Sequence, residues 1–600
     1  MRKNFTLLLL ASLFVFAFSA PKSADSIGVE GAVKLFREDA KAYATQLGKL
    51  ETAFHNIRAD DSLTIETAKV KLVDARLAYK RIEYFLEHFF FTSSRIYNRP
   101  PKNEIEEPHL EYMEPAGMQY MEALLFDSIT TDSKALLVAQ AQLLTHAASD
   151  LHALLYKFET DDKQILASVR LEIIRVIALG ISGFDAPLLK SGIRESSVAL
   201  ETIGFVLKPY IDQSRHDSVR IYLTSAIDFL HGNPDFDAFD RLKFLTDHAL
   251  PLQTHFHAML KEMNLDTTLP GMMNREAAHL FSSDALQPGN SKTHAAFAKK
   301  QVLLGEKLFF EPRLSGNKTK SCASCHNPAN YFTDGLPRSV GIDPKTTVKR
   351  NAPSLIYAAL QHNQFWDGRA KTLEEQIETV MRDPAEMNGD PARSFQILVK
   401  DKKYKRLWKQ AVPKTSDKAD EKQLYTALAS YIRTLAPYNA AFDHYLKGDR
   451  TAMTDEQIAG FNLFMGKAQC GTCHFAPLFN GLIPPFYALT EFEIIGTTAT
   501  EDFINPEKDN DHGRMNVRAT PYYEAAFKTP TIRNAAVTAP YMHNGAFSSL
   551  EKVIDFYDKG GGAGMGLDVP RQTLSPMPLN LTEKEKKEII AFLHALTDKP

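Results

Sequence analysis

The chain has 600 residues and a formal net charge of -3, with 70 Lys and Arg set against 73 Asp and Glu. That balance lacks the basic footprint of a nucleic-acid binder, so no nucleic-acid partner is expected. Hydrophobic content of 44% with 24% charged residues describes a globular protein rather than a disordered or fibrous one, and the length suggests about three or four domains.

Residues 1–20 are expected to be a signal peptide. Arg2 and Lys3 precede an apolar run from Leu7 to Phe18, and the small residues Ala17, Ser19 and Ala20 follow. The run is shorter than the ~20 residues of a spanning helix. No later segment is apolar enough to span, so a periplasmic protein with no transmembrane segment after processing is expected.

Residues 25–265 carry a helical pattern. Leu72, Ala75, Tyr79, Ile82, Leu86 and Phe89 recur three and four apart between charged positions, and Ile165 to Leu179 is apolar on more than one face. A helical bundle with one central buried helix is expected. Within it, Gly117-Met118-Gln119-Tyr120-Met121-Glu122 resembles the G-x-H-x-x-E signature of imelysin-like domains. Gln119 stands in place of the histidine, which argues against a metal role. The other reading is an ordinary amphipathic helix with Glu122 on its polar side. Residues 266–292 then lose periodicity at Pro270-Gly271 and Pro288-Gly289, and a linker is expected there.

Beyond it the chain repeats itself. Cys322-Ala323-Ser324-Cys325-His326 and Cys470-Gly471-Thr472-Cys473-His474 both read C-x-x-C-H and use all four cysteines. This is the attachment sequence of a c-type haem, with two thioethers and an axial histidine. Zinc binding or a redox dithiol are the alternatives, but zinc needs further ligands, and a dithiol motif has no reason to be followed by His twice. Arg350-Asn351-Ala352 is echoed by Arg533-Asn534-Ala535, and Gly368 with Leu373-Glu374 by Gly545 with Leu550-Glu551. This register sets Trp366 on His543, Ile377 on Ile554 and Val380 on Tyr557. One haem would thus face an apolar side chain and the other a phenol, which implies a division of labour between them.

The strings Phe365-Trp366-Asp367-Gly368-Arg369, Leu373-Glu374-Glu375-Gln376 and Glu386-Met387, with Thr529 to Asn534 and Thr538 to Gly545, resemble the bacterial di-haem cytochrome c peroxidases and their MauG-type relatives. The resemblance covers residues ~295–600. With the helical bundle read from residues 25–265, a mainly α fold is expected, and the resemblance implies that the rest forms two tandem cytochrome c-like haem domains, peroxidatic over 293–450 and electron-transferring over 451–600. It implies two covalent haems c on Cys322, Cys325, Cys470 and Cys473, with His326 and His474 as iron ligands. Glu386 would be the distal proton relay, Gln376 a distal-pocket amide and Trp366 the indole between the haems. Asn351 with the carbonyls of Thr538 and Pro540 would hold calcium, whose hardness suits oxygen ligands.

Two departures stand out. The loop after the first motif has no histidine from Asn327 to Leu360, and Ile342 occupies the matched position, so no residue caps the first iron. Tyr557 stands where many peroxidases have a methionine. As a sixth ligand, a tyrosinate favours ferric iron and a lower potential. The competing assignment makes Tyr557 a core aromatic, with Met542, Met565 or Met577 as ligand. The expected function is reduction of hydrogen peroxide with electrons from a small donor, a cytochrome c, a cupredoxin or a quinol. A MauG-like oxidase acting on a protein or small organic substrate is the second reading. A non-catalytic electron-transfer or sensing cytochrome is the third.

Overall fold

The computed structural model describes residues 26–599 except 107–110, 267, 289–294 and 412–419. The signal-peptide reading therefore lies outside the described residues, as do 267 and 289–292 of the expected linker. The fold is mainly α, with only two short two-stranded ribbons, Glu104–Glu106 with Glu111–Met113 and Phe492–Glu493 with Phe527–Lys528, among the described residues.

The first half is a helical bundle. Helix Val29–His55 buries Ala32, Phe36, Ala40, Tyr43, Leu47, Leu50 and Phe54, a stripe three or four residues apart that seats it against Ser62–Lys80 and Thr131–Ser149. Asp61 caps the second of these through the Leu63 N–H, and Thr130 with Ser133 forms a capping box at the start of the third. The stripe from Leu72 to Leu86 is buried as expected, although the chain turns between Lys80 and Glu83 so that two helices share it. Helix Asp162–Arg175 is buried from Ile165 onward and runs into a widened turn over Val176–Gly180. Its neighbours carry charge into the interior: Arg76 pairs with Glu195 at 2.8 Å, and Lys80 with Glu83 at 2.8 Å and Asp185 at 2.5 Å.

The second half contains the same module twice. Helix Ala295–Phe309 packs on Lys422–Ile432, and helix Asp455–Met465 on Glu583–Ala595. Each crossing is closed by a glycine: a Cβ on Gly305 would lie 1.9 Å from the Ala427 carbonyl oxygen, and one on Gly460 would lie 1.9 Å from that of Glu588. A third helix, Leu373–Arg382 or Leu550–Asp558, leans on each pair. The turns before these helices also match, with Phe365 and Met542 at φ 66 and 70, and Gly368 and Gly545 at φ 66 and 67.

The bundle docks on the second module. The first has a core of its own around Leu308, Phe309, Trp408 and Leu428, while one continuous core joins the bundle to Phe461, Phe464, Phe479 and Phe592 and takes in Ile356, Tyr357, Leu360 and Phe442 at the edge of the first. Leu242 donates its N–H to Asn462 Oδ1 at 3.0 Å, Phe184 meets Phe475 edge-on at 5.6 Å, and Gln469 donates to the Pro187 carbonyl at 3.3 Å. The connector expected to be loose is packed: Leu269, Met272, Asn274, Leu280 and Leu286 are buried, and Met273 bridges Leu286. Its breakers shape turns, while its apolar residues fill the seam beside the bundle. Among the described residues no helix is long and apolar enough to cross a membrane.

Since a methyl at either crossing collides with backbone, Gly305→Ala and Gly460→Ala should each destabilise the protein by about 1–3 kcal/mol. Denaturant unfolding of the single variants checks this.

Candidate active site

Each C-x-x-C-H forms one tight turn. The His326 N–H donates to the Cys322 carbonyl at 2.9 Å and the His474 N–H to that of Cys470 at 2.9 Å, so two thiols and an imidazole converge on one recess. In both modules Nδ1 of the histidine meets a backbone carbonyl, Phe332 O at 3.0 Å and Phe479 O at 3.1 Å. With the Nδ1 proton donated there, Nε2 is left as a bare lone pair, the form in which imidazole ligates a metal. Burial keeps both rings neutral, lowering His326 and pushing His474 down to about 4.

The four cysteines are unpaired and half-buried. Burial pushes Cys322 and Cys470 up to about 12 and raises Cys325 and Cys473. A redox dithiol needs the opposite shift, and among the described residues no group of three or more His, Cys, Asp or Glu is placed to hold a metal ion such as zinc. Half-buried neutral thiols beside an imidazole in one turn fit a covalently attached haem in each module.

Above the first motif, Thr372 caps helix Leu373–Arg382 through the Glu375 N–H, and the chain then turns so that Glu386 donates its N–H to Asp383 O at 3.2 Å. Glu386 is half-buried, and its charge reaches Cys325, which places it at the first recess. Burial pushes its carboxyl up to about 7; Asp383 adds to the rise and Arg369 opposes it. Ile342 lies beside this turn, donating its N–H to Ala385 O at 2.9 Å. Val380 and Cys322 each pack against the edge of the first core. Gln376, half-buried, lies one helical turn before Val380 on the same face.

At the second recess the same register carries Tyr557, the eighth residue of its helix as Val380 is of its own. Burial, then the neighbouring Cys473 and Cys470, raise the Tyr557 phenol. Of the competing methionines, Met577 is 70% exposed. Glu493 adds a carboxylate here, with Oε1 3.8 Å from Cys473 Sγ.

Trp366 and His543, matched by the repeat, meet at the seam between the modules with ring centroids 6.5 Å apart. The indole N–H donates to the Asn351 carbonyl at 3.0 Å, and the Trp366 carbonyl accepts from the Lys528 N–H at 2.8 Å. His543 stacks on Phe527 with centroids 3.6 Å apart and reaches Asp509 at 3.1 Å. Arg350 clamps the seam, 2.6 Å from Asp367 and 2.7 Å from Asp511. The Asn351 side chain donates to Leu336 O at 3.0 Å, and its N–H donates to His543 O at 2.8 Å, so it borders the loop of Thr538 and Pro540.

Sequence reasoning missed three groups. Lys528 is buried at the seam with Nζ 3.2 Å from Asn363 O, and burial pushes it down to about 7. Glu491 and Glu493 flank the second recess and pair with Lys102 of the bundle. No motif marks these residues; only an uncompensated charge in an apolar stretch could have drawn notice. In the bundle, Glu122 is 1% exposed rather than on a polar face, because its Oε1 accepts the N–H groups of Leu188 and Leu189 at 2.6 and 2.9 Å. Burial pushes it up to about 7. Gln119 donates to Asn98 O at 3.1 Å.

The model of the family described as di-haem cytochrome c peroxidase matches residues 299–451. A cytochrome-c peroxidase, IdrP2, of Denitromonas iodatirespirans is 34% identical over 50% of this chain and 82% of its own. The methylamine utilization protein MauG of Methylorubrum extorquens is 34% identical over 50% of this chain and 79% of its own. A crystal structure of a MauG-like protein associated with microbial copper homeostasis matches 52% of this chain and 96% of that chain, at 28% identity and a TM-score of 0.45. With paired attachment turns, a buried imidazole in each and the two sequence relatives, the chain belongs to the di-haem cytochrome c peroxidase family of oxidoreductases and carries two haems c.

Proposed function

We propose that the protein is a periplasmic di-haem peroxidase that reduces hydrogen peroxide to two waters, consuming two electrons and two protons. Residues 293–450 form the peroxidatic module. Residues 451–600 receive electrons from a small donor, a cytochrome c, a cupredoxin or a quinol. When bound, the haems supply the iron centres that take up peroxide and store electrons. The observation that carries the reading is Glu386: a half-buried carboxyl held near neutrality at the first recess, with no hydrogen bond from a described residue.

Cleaving peroxide requires a proton to leave the oxygen that stays and reach the oxygen that departs. A carboxylate of pKa about 7 is matched to both halves of that transfer near neutral pH. Gln376 lines the approach and orients the peroxide. Trp366, held by the Asn351 carbonyl, gives electrons an oxidisable ring between the modules. Ile342 at the capping position leaves the first recess open. A purely electron-transferring cytochrome would leave the raised Glu386 without a task.

Tyr557 favours a second reading, the MauG-like oxidase. A phenolate ligand lowers the potential of the second centre and makes withdrawal of electrons from an organic or protein substrate easier. Tyr557→Met should raise that potential and move the enzyme toward simple peroxidase behaviour.

Glu386→Gln should lower kcat by about 10²–10⁴-fold, the usual worth of general acid–base catalysis. Because the carboxylate must start ionised, wild-type kcat/KM should rise as pH increases through about 7, and the Gln variant should lose that limb. Stopped-flow turnover against pH decides it, and equal rates would exclude the relay.

Calcium at Asn351, Thr538 and Pro540 belongs to the same proposal. Neither the Thr538 nor the Pro540 carbonyl accepts one of the backbone hydrogen bonds of the surrounding turns, so both oxygens remain available to a hard cation. Thorough chelation should slow electron transfer between the modules, and added calcium should restore it. Unchanged single-turnover rates would remove the site.

A further inference from the structure

Lys102 comes from the helical bundle yet ends at the second recess. Its Nζ lies 2.7 Å from Glu491 Oε1 and 3.3 Å from Glu493 Oε1. Glu493 Oε1 in turn stands 3.8 Å from Cys473 Sγ, and its charge is felt at Tyr557. The Lys102 side chain is 23% exposed and that of Glu493 10%, so water screens this triad far less than a surface pair.

The placement of Lys102 is secured by its surroundings. It precedes the ribbon Glu104–Glu106 with Glu111–Met113. Tyr112 of that ribbon stacks on Tyr522 with centroids 4.7 Å apart, and the Tyr523 hydroxyl donates to Ile105 O at 3.4 Å. Before the lysine, Phe91 meets Phe486 edge-on with centroids 6.0 Å apart, so the bundle grips the second module on both sides of it. The first module also has a core of its own around Leu308 and Leu428.

We infer that Lys102 is a positioning residue through which the N-terminal domain sets the electron affinity of the second haem site, by neutralising one of the two carboxylates buried beside it. This rests on the reading of that site as the electron-storing centre. Net charge near a haem shifts its potential in a known sense: an uncompensated carboxylate favours the ferric, more positive state and disfavours reduction. The bundle is then part of the redox apparatus, and undocking it would change the driving force for electron entry.

The test is spectropotentiometric titration of the full-length di-haem protein at alkaline pH, where both carboxylates stay ionised. Lys102→Met should disfavour reduction of the second haem by about tenfold, ~59 mV for a one-electron couple, and leave the first haem at its wild-type potential. Glu493→Gln should shift the second haem the opposite way, Lys102→Arg should keep the wild-type value, and Lys102→Met combined with Glu493→Gln should return toward it. Limited proteolysis checks that the bundle stays docked. A second-haem potential unchanged in Lys102→Met, or one moved equally by Lys102→Arg, would overturn the inference. The potentials are read without peroxide, so normal turnover with unmoved potentials sinks this inference alone, and moved potentials without turnover sink the peroxidase reading alone.

Discussion

Both haem modules depend on one close approach, a helix carbonyl pressed against a glycine of the crossing helix. Gly305 beneath Ala427 and Gly460 beneath Glu588 bring the helix before each C-x-x-C-H down onto a later helix of its module. The attachment turn comes next after a short connection, and its histidine is fixed by donating Nδ1–H to the backbone of Phe332 or Phe479. Any larger residue at the crossing would move the ligand relative to the helix that roofs the recess.

On this shared scaffold the two sites differ by what the roof presents. Val380 and Tyr557 occupy one register, as do Trp366 and His543. The first recess combines an apolar wall with a carboxyl near neutrality, which suits proton transfer. The second combines a phenol with a charged triad, which suits control of electron affinity. Glu386 reaches about 7 chiefly because it is buried, with Asp383 adding to the rise, so its chemistry is a product of packing.

The bundle contributes through buried charge. Breaking a buried ion pair by removing one partner costs about 3–5 kcal/mol, though the intact pair adds little net stability. The pairs of Arg76 with Glu195 and Lys80 with Asp185, and Glu122 on the N–H groups of Leu188 and Leu189, are therefore best understood as fixing one conformation of the segment 184–195. That segment presents Phe184 and Pro187 to the second attachment turn. The bundle is thereby held to the second module, with Arg450 at the end of the first reaching Asp247 at 2.8 Å.

Local pattern determined much of this protein. The paired C-x-x-C-H turns, the amphipathic stripe from Leu72 to Leu86, the buried helix beginning at Ile165 and the register that opposes Val380 to Tyr557 are all written in spacing, because turns and helices are made by neighbours in the chain. Tertiary structure alone decided which surfaces meet: the bundle on the second module, the packed connector, the burial of Glu122, and the convergence of Lys102 with Glu491 and Glu493 across nearly four hundred positions. Contacts between such distant residues leave no period in the sequence, and a carboxylate's burial or partner is set by what folds over it.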